Sequence, residues 1–358
     1  MTASDDPATV QTPSRTVRLV REEIFPPTRD DEHDLSDDDD ADPDDASAAP
    51  ADHDLLQGLP DDSDSIELIN ARLSSDSLLN LDLPRFALSL NQLCLRQNLI
   101  THLQPSVFSP LHALQDLDLY DNKLKDIDDA LDNLPLTSLD LSFNLLRSIP
   151  KGISTLTHLT TLYFVQNKIS HIDGLGNLGA TLTSLELGGN RLRKIENLDA
   201  LVNLEELWLG KNKIAKLENL HTLSKLKILS IQSNRLIKLE GLQALTSLRE
   251  LYVSHNGIER IEGLDSNLEL RTLDVGSNRI SKIENISHLE KLEEFWASDN
   301  QIPNLHDLDS QLAKTASLDT IYLEGNPCQK LDMAGYRRKV ILALPQVTQV
   351  DATHVKAP

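Results

Sequence analysis

Trp208 and Trp296 are the only two tryptophans in a chain of 358 residues, and they stand 88 residues apart. Each follows an apolar residue, in ELWLGKN and EFWASDN. Side chains alternate along a strand, so if Leu207 and Phe295 face a core, the tryptophans face away from it. The same slot in neighbouring stretches holds Asp140, Tyr163, Glu186, Tyr252, Asp274 and Tyr322, and Glu294 stands two residues before Trp296. The chemistry these residue types offer is recognition. Large rings gain by leaving water, and carboxylates steer a basic partner and speed its arrival.

Bond-making chemistry finds no foothold. GLGNLG (174–179) matches the G-x-G-x-x-G spacing, but that fingerprint has meaning only after a strand and at the start of a helix. Here it follows the turn at Asn167 and leads into a strand, so a cofactor-binding reading fails. The eleven histidines are scattered, and Cys94 and Cys328 have no zinc-type spacing. No nucleophile–base pair and no metal-ligand cluster is legible, so the expectation is a protein with no catalytic residues, cofactor or metal. The net charge of −22 disfavours nucleic acid and anionic membrane as partners. No secretory signal or run of about 18 apolar residues is present, so an intracellular, reducing location is expected.

The elements that position the aromatic and acidic residues are repeats. Asn98, Asn122, Asn144, Asn167, Asn190, Asn212, Asn234, Asn256, Asn278, Asn300 and Asn326 recur at spacings of 22 to 26 residues. Leucine stands eight residues before every one of them, and leucine, phenylalanine or isoleucine five before. This is a leucine-rich-repeat array. In LxLxxN the two leucines point inward and the chain then turns. A buried asparagine there satisfies backbone groups of adjacent turns. The predicted fold is an α/β solenoid: an arc with a parallel concave β-sheet, a convex side of extended chain and short 3₁₀ turns, and a C-terminal helical cap. Eleven clear repeats are expected, plus a worn first one with Asn70 in the turn slot. The cap covers 327–358, where Val340, Ile341 and Leu344 recur at helical spacing before Pro345.

Three strand positions, six, four and two residues before each asparagine, should face the concave side. They hold nine acids, one base, both tryptophans and four of the five tyrosines. That concentration reads as a protein-binding face. The acidity of the whole chain lies elsewhere: residues 30–64 contain sixteen Asp and Glu and no Lys or Arg. Self-repulsion predicts a disordered tail over 1–65, with the repeats at 66–326. The tail is read either as solvating or as regulated. Ser36, followed by four aspartates, is the candidate phosphorylation site for an acid-directed kinase.

Stretches such as LCLRQN, LDLYDNK, LDLSFNLLRSI, LSIQSNRL, GLQALTSLRELYVSHNGIE, SNRISKIENISHLEKLEEFW and YRRKVILALPQVTQVDATHV carry a closer likeness. Over roughly 66–358 the chain resembles the leucine-rich-repeat regulatory subunits of protein phosphatase 1, a mitotic and nuclear regulator family. The resemblance implies a non-catalytic, inhibitory or chaperone-like subunit that controls the activity and maturation of the phosphatase, in nucleus and cytoplasm. It implies a concave face that binds the phosphatase catalytic subunit through Asp140, Tyr163, Glu186, Trp208, Asp274, Glu294, Trp296 and Tyr322, and Tyr252, in the same column, joins them as a partner-binding candidate. It also implies a small inhibitor protein as a further partner. No Arg/Lys-Val-x-Phe docking peptide is present, in keeping with a preformed binding surface. The competing reading is a leucine-rich-repeat scaffold of another complex, such as a ribonucleoprotein adaptor.

Overall fold

The computed structural model describes residues 55–355 and the strand at residues 16–20. Ser36 and most of the acidic segment lie outside the described residues. Fifteen strands form one sheet in strict chain order among them. Strand β1 is Thr16–Val20 and β2 is Ser65–Ile69. Then come β3 (Gln92–Cys94), β4 (Asp116–Asp118), β5 (Ser138–Asp140), β6 (Thr161–Tyr163), β7 (Ser184–Glu186) and β8 (Glu206–Trp208). They are followed by β9 (Ile228–Ser230), β10 (Glu250–Tyr252), β11 (Thr272–Asp274), β12 (Glu294–Trp296) and β13 (Thr320–Tyr322). Strands β14 (Gln349–Val350) and β15 (Thr353–His354) form an antiparallel pair at the end. All earlier neighbours are parallel, so each repeat adds one strand and advances the solenoid by about 4.8 Å.

Each strand from β4 to β8 buries its middle leucine and leaves the residues on either side half exposed. The predicted inward leucines form one continuous core, from Leu56 to Val350. Repeat length decides what the outer wall contains. The shortest repeats have no helical turn there. The two that exceed them by a single residue, ending at Asn167 and Asn190, carry the 3₁₀ turns Lys151–Thr155 and Gly176–Leu178. The longer ones ending at Asn122 and Asn326 carry one α-helical turn each, Pro105–Phe108 and Leu308–Gln311, and the still longer first repeat carries both a helical turn, Ser75–Leu79, and a 3₁₀ turn, Leu83–Phe86. A convex wall bridged by the shortest repeat leaves no slack, and each added residue is taken up as local winding.

The asparagine column staples the turns together. Asn212 Nδ2 donates to the carbonyls of Leu187 (2.9 Å), Leu209 (3.1 Å) and Gly210 (3.2 Å). Its Oδ1 accepts from the Leu192 N–H of the preceding turn at 3.0 Å. The residue before each asparagine takes a left-handed conformation, as at Gln97, Lys211 and His255. A second column repeats the device on the outer wall. Asn197, Asn219 and Asn285 also have positive φ, and their amides donate to Ile172, Ile195 and Ile261 of the turn before, at 2.7, 2.7 and 2.8 Å.

The structure corrects two expectations. Asn70 is not in the turn slot of the first repeat: register pairs Ser65 with Gln92, which puts Asn70 opposite Gln97 and Ala71 opposite Asn98. Asn70 has φ 52° and so fills the left-handed position, which asparagine tolerates. Asn98 compensates by accepting from both Ala71 N–H (3.1 Å) and Leu73 N–H (3.0 Å). Nor is 1–65 unstructured throughout. Thr16–Val20 pairs with all five residues of β2, and Leu56 is buried in the core. The first repeat would otherwise present open backbone groups at its edge, and β1 supplies their partner.

At the other end the helix Tyr336–Ala343 buries Tyr336 and Val340, with Leu344 behind them. Beyond the last repeat, Asp351 Oδ1 accepts from the N–H groups of Leu323 (2.8 Å) and Glu324 (3.0 Å). The Tyr336 hydroxyl donates to the same carboxylate at 3.0 Å, so helix and sheet edge are closed by one residue.

Candidate functional site

The column four residues before the asparagines runs through the register as Cys94, Asp118, Asp140, Tyr163, Glu186, Trp208, Ser230, Tyr252, Asp274, Trp296 and Tyr322. Its two halves differ in character. From Trp208 onward the rings form one row: Trp208 and Tyr252 are stacked at 6.4 Å between centroids, Tyr252 and Trp296 are tilted at 6.1 Å, and Trp296 and Tyr322 meet edge-on at 5.9 Å. Trp208 and Tyr252 lie two strands apart, about 9.6 Å along the sheet. Their rings therefore lean over Ser230, the small residue between them, which is buried.

The row is anchored at both flanks. Tyr252 Oη donates to Glu250 at 2.8 Å, and Tyr322 Oη accepts from Gln349 Nε2 at 2.6 Å, which ties the last ring to the C-terminal cap. Within the row, Trp296 Nε1 is buried with no hydrogen-bond partner among the described residues. Buried donors are normally satisfied, so this indole is desolvated without compensation from its own chain.

The N-terminal half is a carboxylate strip. Burial pushes the carboxyl pKa values of Asp116, Asp118 and Glu186 upward, and the neighbouring Asp140 charge adds to the effect. Tyr163 stands among them, and its hydroxyl pKa is raised first by burial and then by Glu186 and Asp140. The one base of the face, Arg96, lies 3.4 Å from Asp118 and 4.2 Å over the Tyr120 ring. Negative potential concentrated on a concave surface favours a basic partner.

The expected contact residues Asp140, Tyr163, Glu186, Trp208, Tyr252, Glu294, Trp296 and Tyr322 all lie half exposed on this one face. Asp274 departs from that expectation. It is only 5% exposed, between Tyr252 and Trp296 in the ladder. Its carboxylate accepts from Gly276 N–H (3.0 Å) and from Gln232 Nε2 (3.3 Å). Asp118 and Asp140 bind the N–H two residues on in the same way, from Tyr120 at 3.0 Å and Ser142 at 2.8 Å. Aspartate in this column is thus partly a backbone support, with a side chain short enough to fold back. Glu186, the glutamate of this column, makes no such backbone bond among the described residues and stays half exposed.

Sequence reading passed over Phe143, which is 40% exposed, has φ 54° and packs its ring 4.7 Å from Tyr120. The signal was available. The slot before the asparagine requires a left-handed backbone, and a phenylalanine there is out of place. GLGNLG proves to be wall geometry. Gly176–Leu178 forms a 3₁₀ turn, and a Cβ on Gly179 would collide with the Ala200 carbonyl oxygen in the next turn.

Comparison with known proteins agrees with this architecture. A family described as "Leucine rich repeat" matches residues 89–146 and 135–192, and one described as "Leucine Rich repeats (2 copies)" matches 180–220 and 224–266. The protein phosphatase 1 regulatory subunit SDS22 of Saccharomyces cerevisiae is 49% identical over 122 residues, 34% of each chain. The protein phosphatase 1 regulatory inhibitor subunit PPP1R7 homolog of Arabidopsis thaliana is 42% identical over 148 residues, 39% of this chain and 44% of that one. The aligned stretches thus span less than half the length of these relatives. Among solved structures, the Leptospira interrogans leucine-rich-repeat protein LIC12759 superposes with a TM-score of 0.63 at 23% identity, over 81% of this chain and 84% of that one. An internalin of Listeria monocytogenes gives 0.63 at 24% identity, over 81% and 86%. These two likenesses concern the fold alone.

Proposed function

We propose, from the premise that the chain is a leucine-rich-repeat protein, that it is a non-catalytic regulatory subunit of protein phosphatase 1 and holds the catalytic subunit in its concave face. The observation that carries this reading is the row Trp208–Tyr252–Trp296–Tyr322 beside a strip of outward carboxylates. Rings of this size supply the desolvated anchors of protein interfaces, and surrounding acids add steering and partner choice. The relatives named above support the identity of the partner. The rigid register supports recognition of a folded surface, because the contact groups are fixed on strands and need little ordering on binding.

A small inhibitor protein as third member of the complex, a nuclear and cytoplasmic location and a mitotic role are supported by the sequence resemblance. The net negative charge supports a partner that is protein and not nucleic acid.

The test is calorimetric titration of the full chain with purified protein phosphatase 1 catalytic subunit. Replacing Trp208 and Trp296 together by alanine should weaken binding by at least 100-fold, since each anchor is worth about 2 kcal/mol or more. Circular dichroism should report an unchanged fold. Wild-type affinity in the double variant would sink the concave-face assignment, and no binding by the wild-type chain would sink the choice of partner.

A further inference from the structure

The edge of the solenoid beside the concave face has the opposite charge. In the turns at Asn167, Asn190, Asn212 and Asn234, the residue after the asparagine is Lys168, Arg191, Lys213 and Arg235. The backbone N–H of each donates to the preceding turn, at Leu146, Ile169, Leu192 and Ile214, all 2.8 Å, so the four side chains stand in one column about 4.8 Å apart. Arg193 and Lys211 flank it and are exposed. From Phe143 to Ile149, and at the same seven positions of the next four turns, the sequence contains no acid. Among the described residues, Lys168, Arg191, Arg193, Lys211 and Arg235 make no ion pair.

What distinguishes this edge is that five such bases stand together with no acid in the same positions of its turns. Further along the outer wall, bases and acids occur in adjacent columns and neutralise one another, as in Lys216–Glu240 (3.9 Å), Lys238–Glu262 (3.8 Å) and Arg260–Glu284 (2.9 Å). Charges one repeat apart lie within a Debye length of about 8 Å, so the ridge acts as a single positive strip.

The chain carries its own complement. Residues 30–54 contain thirteen Asp and Glu and no Lys or Arg. The segment between the described residues is 21–54, and it is anchored at both ends at the first turn: β1 pairs with β2 on one side, and Leu56 enters the N-terminal core on the other. A loop of 34 residues fixed at both ends reaches out by about 55 Å at full extension. Arg235 follows β9, seven strand spacings from β2, about 34 Å away. The whole ridge is within reach. A tethered segment is present at an effective concentration of order millimolar. A free polyanion such as nucleic acid has no tether to offset repulsion from a chain that is net negative even without its tail.

We propose that the basic ridge formed by Lys168, Arg191, Arg193, Lys211 and Arg235 is the docking surface of the chain's own acidic segment, residues 30–54. The docked segment acts as an internal counterion and borders the concave face. An external acidic partner reaches the ridge only by displacing it.

Zero-length carbodiimide coupling of carboxylates to amines in the full chain, read by mass spectrometry, tests this. Links from residues 30–54 to Lys168 and Lys211 are expected, reduced at least tenfold in 0.5 M salt and in an Arg191→Glu/Arg193→Glu/Arg235→Glu variant whose melting temperature is unchanged. Mixing isotope-labelled with unlabelled chains separates links within one chain from links between two. Links mainly between chains, or mainly to amines away from the ridge such as Lys282 and Lys291, would overturn the proposal. A second measurement titrates a synthetic peptide of residues 30–54, or a short DNA duplex, into the full chain. The peptide should bind at least tenfold tighter when all thirteen acids of residues 30–54 in the chain are changed to their amides, because its site is then vacated. Equal binding to both forms, or tight binding of the duplex to the wild-type chain, refutes tail occupancy.

Discussion

The rings of Trp208 and Tyr252 stack at 6.4 Å although their strands are not neighbours, because Ser230 between them is small enough to be roofed over. Ser230→Leu should part the rings while leaving the fold intact. Loss of one aromatic contact is worth about 1 kcal/mol, so binding of the proposed phosphatase partner should weaken several-fold. Near-ultraviolet circular dichroism and calorimetry would read the two effects. Unaltered affinity with visibly altered ring spectra would show that the stack itself is not what the partner reads.

Asp274 and Glu294 should separate into support and contact. Asp274→Ala leaves the Gly276 N–H and the Gln232 amide without their acceptor, at a cost of about 1–3 kcal/mol in urea denaturation. Glu294→Lys sits on an open face and should shift stability by no more than about 0.5 kcal/mol. Its effect belongs in the association rate, measured by stopped flow at low and high salt. A stable Asp274→Ala chain would refute the supporting role.

Glu186 makes stability depend on pH in a definite direction. Its folded-state pKa is raised above the usual glutamate value by burial, then by Asp140 and Glu206. The folded chain therefore holds the proton more tightly than the unfolded one. The penalty is fully present above the raised value and vanishes as pH falls to the ordinary glutamate range. Glu186→Gln should stabilise the protein at pH 7 and give little difference at pH 4. Denaturation midpoints at both pH values decide it, and a gain that is equal at both would contradict the charge explanation.

Asn212 serves two turns at once, so Asn212→Ala should act well beyond its own repeat. Four backbone groups lose their partner in a buried setting, and a loss on the order of 3 kcal/mol or more is expected. Hydrogen exchange should show protection lost at Leu192 and around Leu187 first. Loss confined to residues after Asn212 would argue against the stapling.

Cys94 should be inert although it lies on the concave column. Burial pushes its thiol pKa up to about 12, and Asp118 beside it opposes the thiolate further. A disulfide reagent at pH 8 should label it slowly in the native protein and rapidly in denaturant, since the thiolate is the reactive form.

Much of this architecture is written in periods. A leucine every strand and an asparagine every turn leave one way to bury the apolar set, so strand order, inward positions and the aromatic column follow from sequence spacing. The period also shows where slack exists, because repeats longer than the common period wind their excess into helical turns. Asn70 stands one residue before the turn slot of the first repeat, because a single worn copy has no period of its own and only pairing with β3 fixes its register.

What spacing leaves open is what side chains do once placed. Trp208 and Trp296 were legible as outward residues, yet only the folded sheet shows their rings joined through Tyr252. That depends on how far rings lean over Ser230 and Asp274. Asp274 looked like Asp140 and Glu294 in the sequence. Asp140 folds onto its turn just as Asp274 does, and the difference lies in what closes overhead: Asp274 lies between Tyr252 and Trp296 and is buried, while Asp140 stays half exposed. The sequence by itself determined the scaffold, because a repeated local pattern has one collective burial solution. The tertiary structure alone decided which of the presented residues remain free to meet a partner.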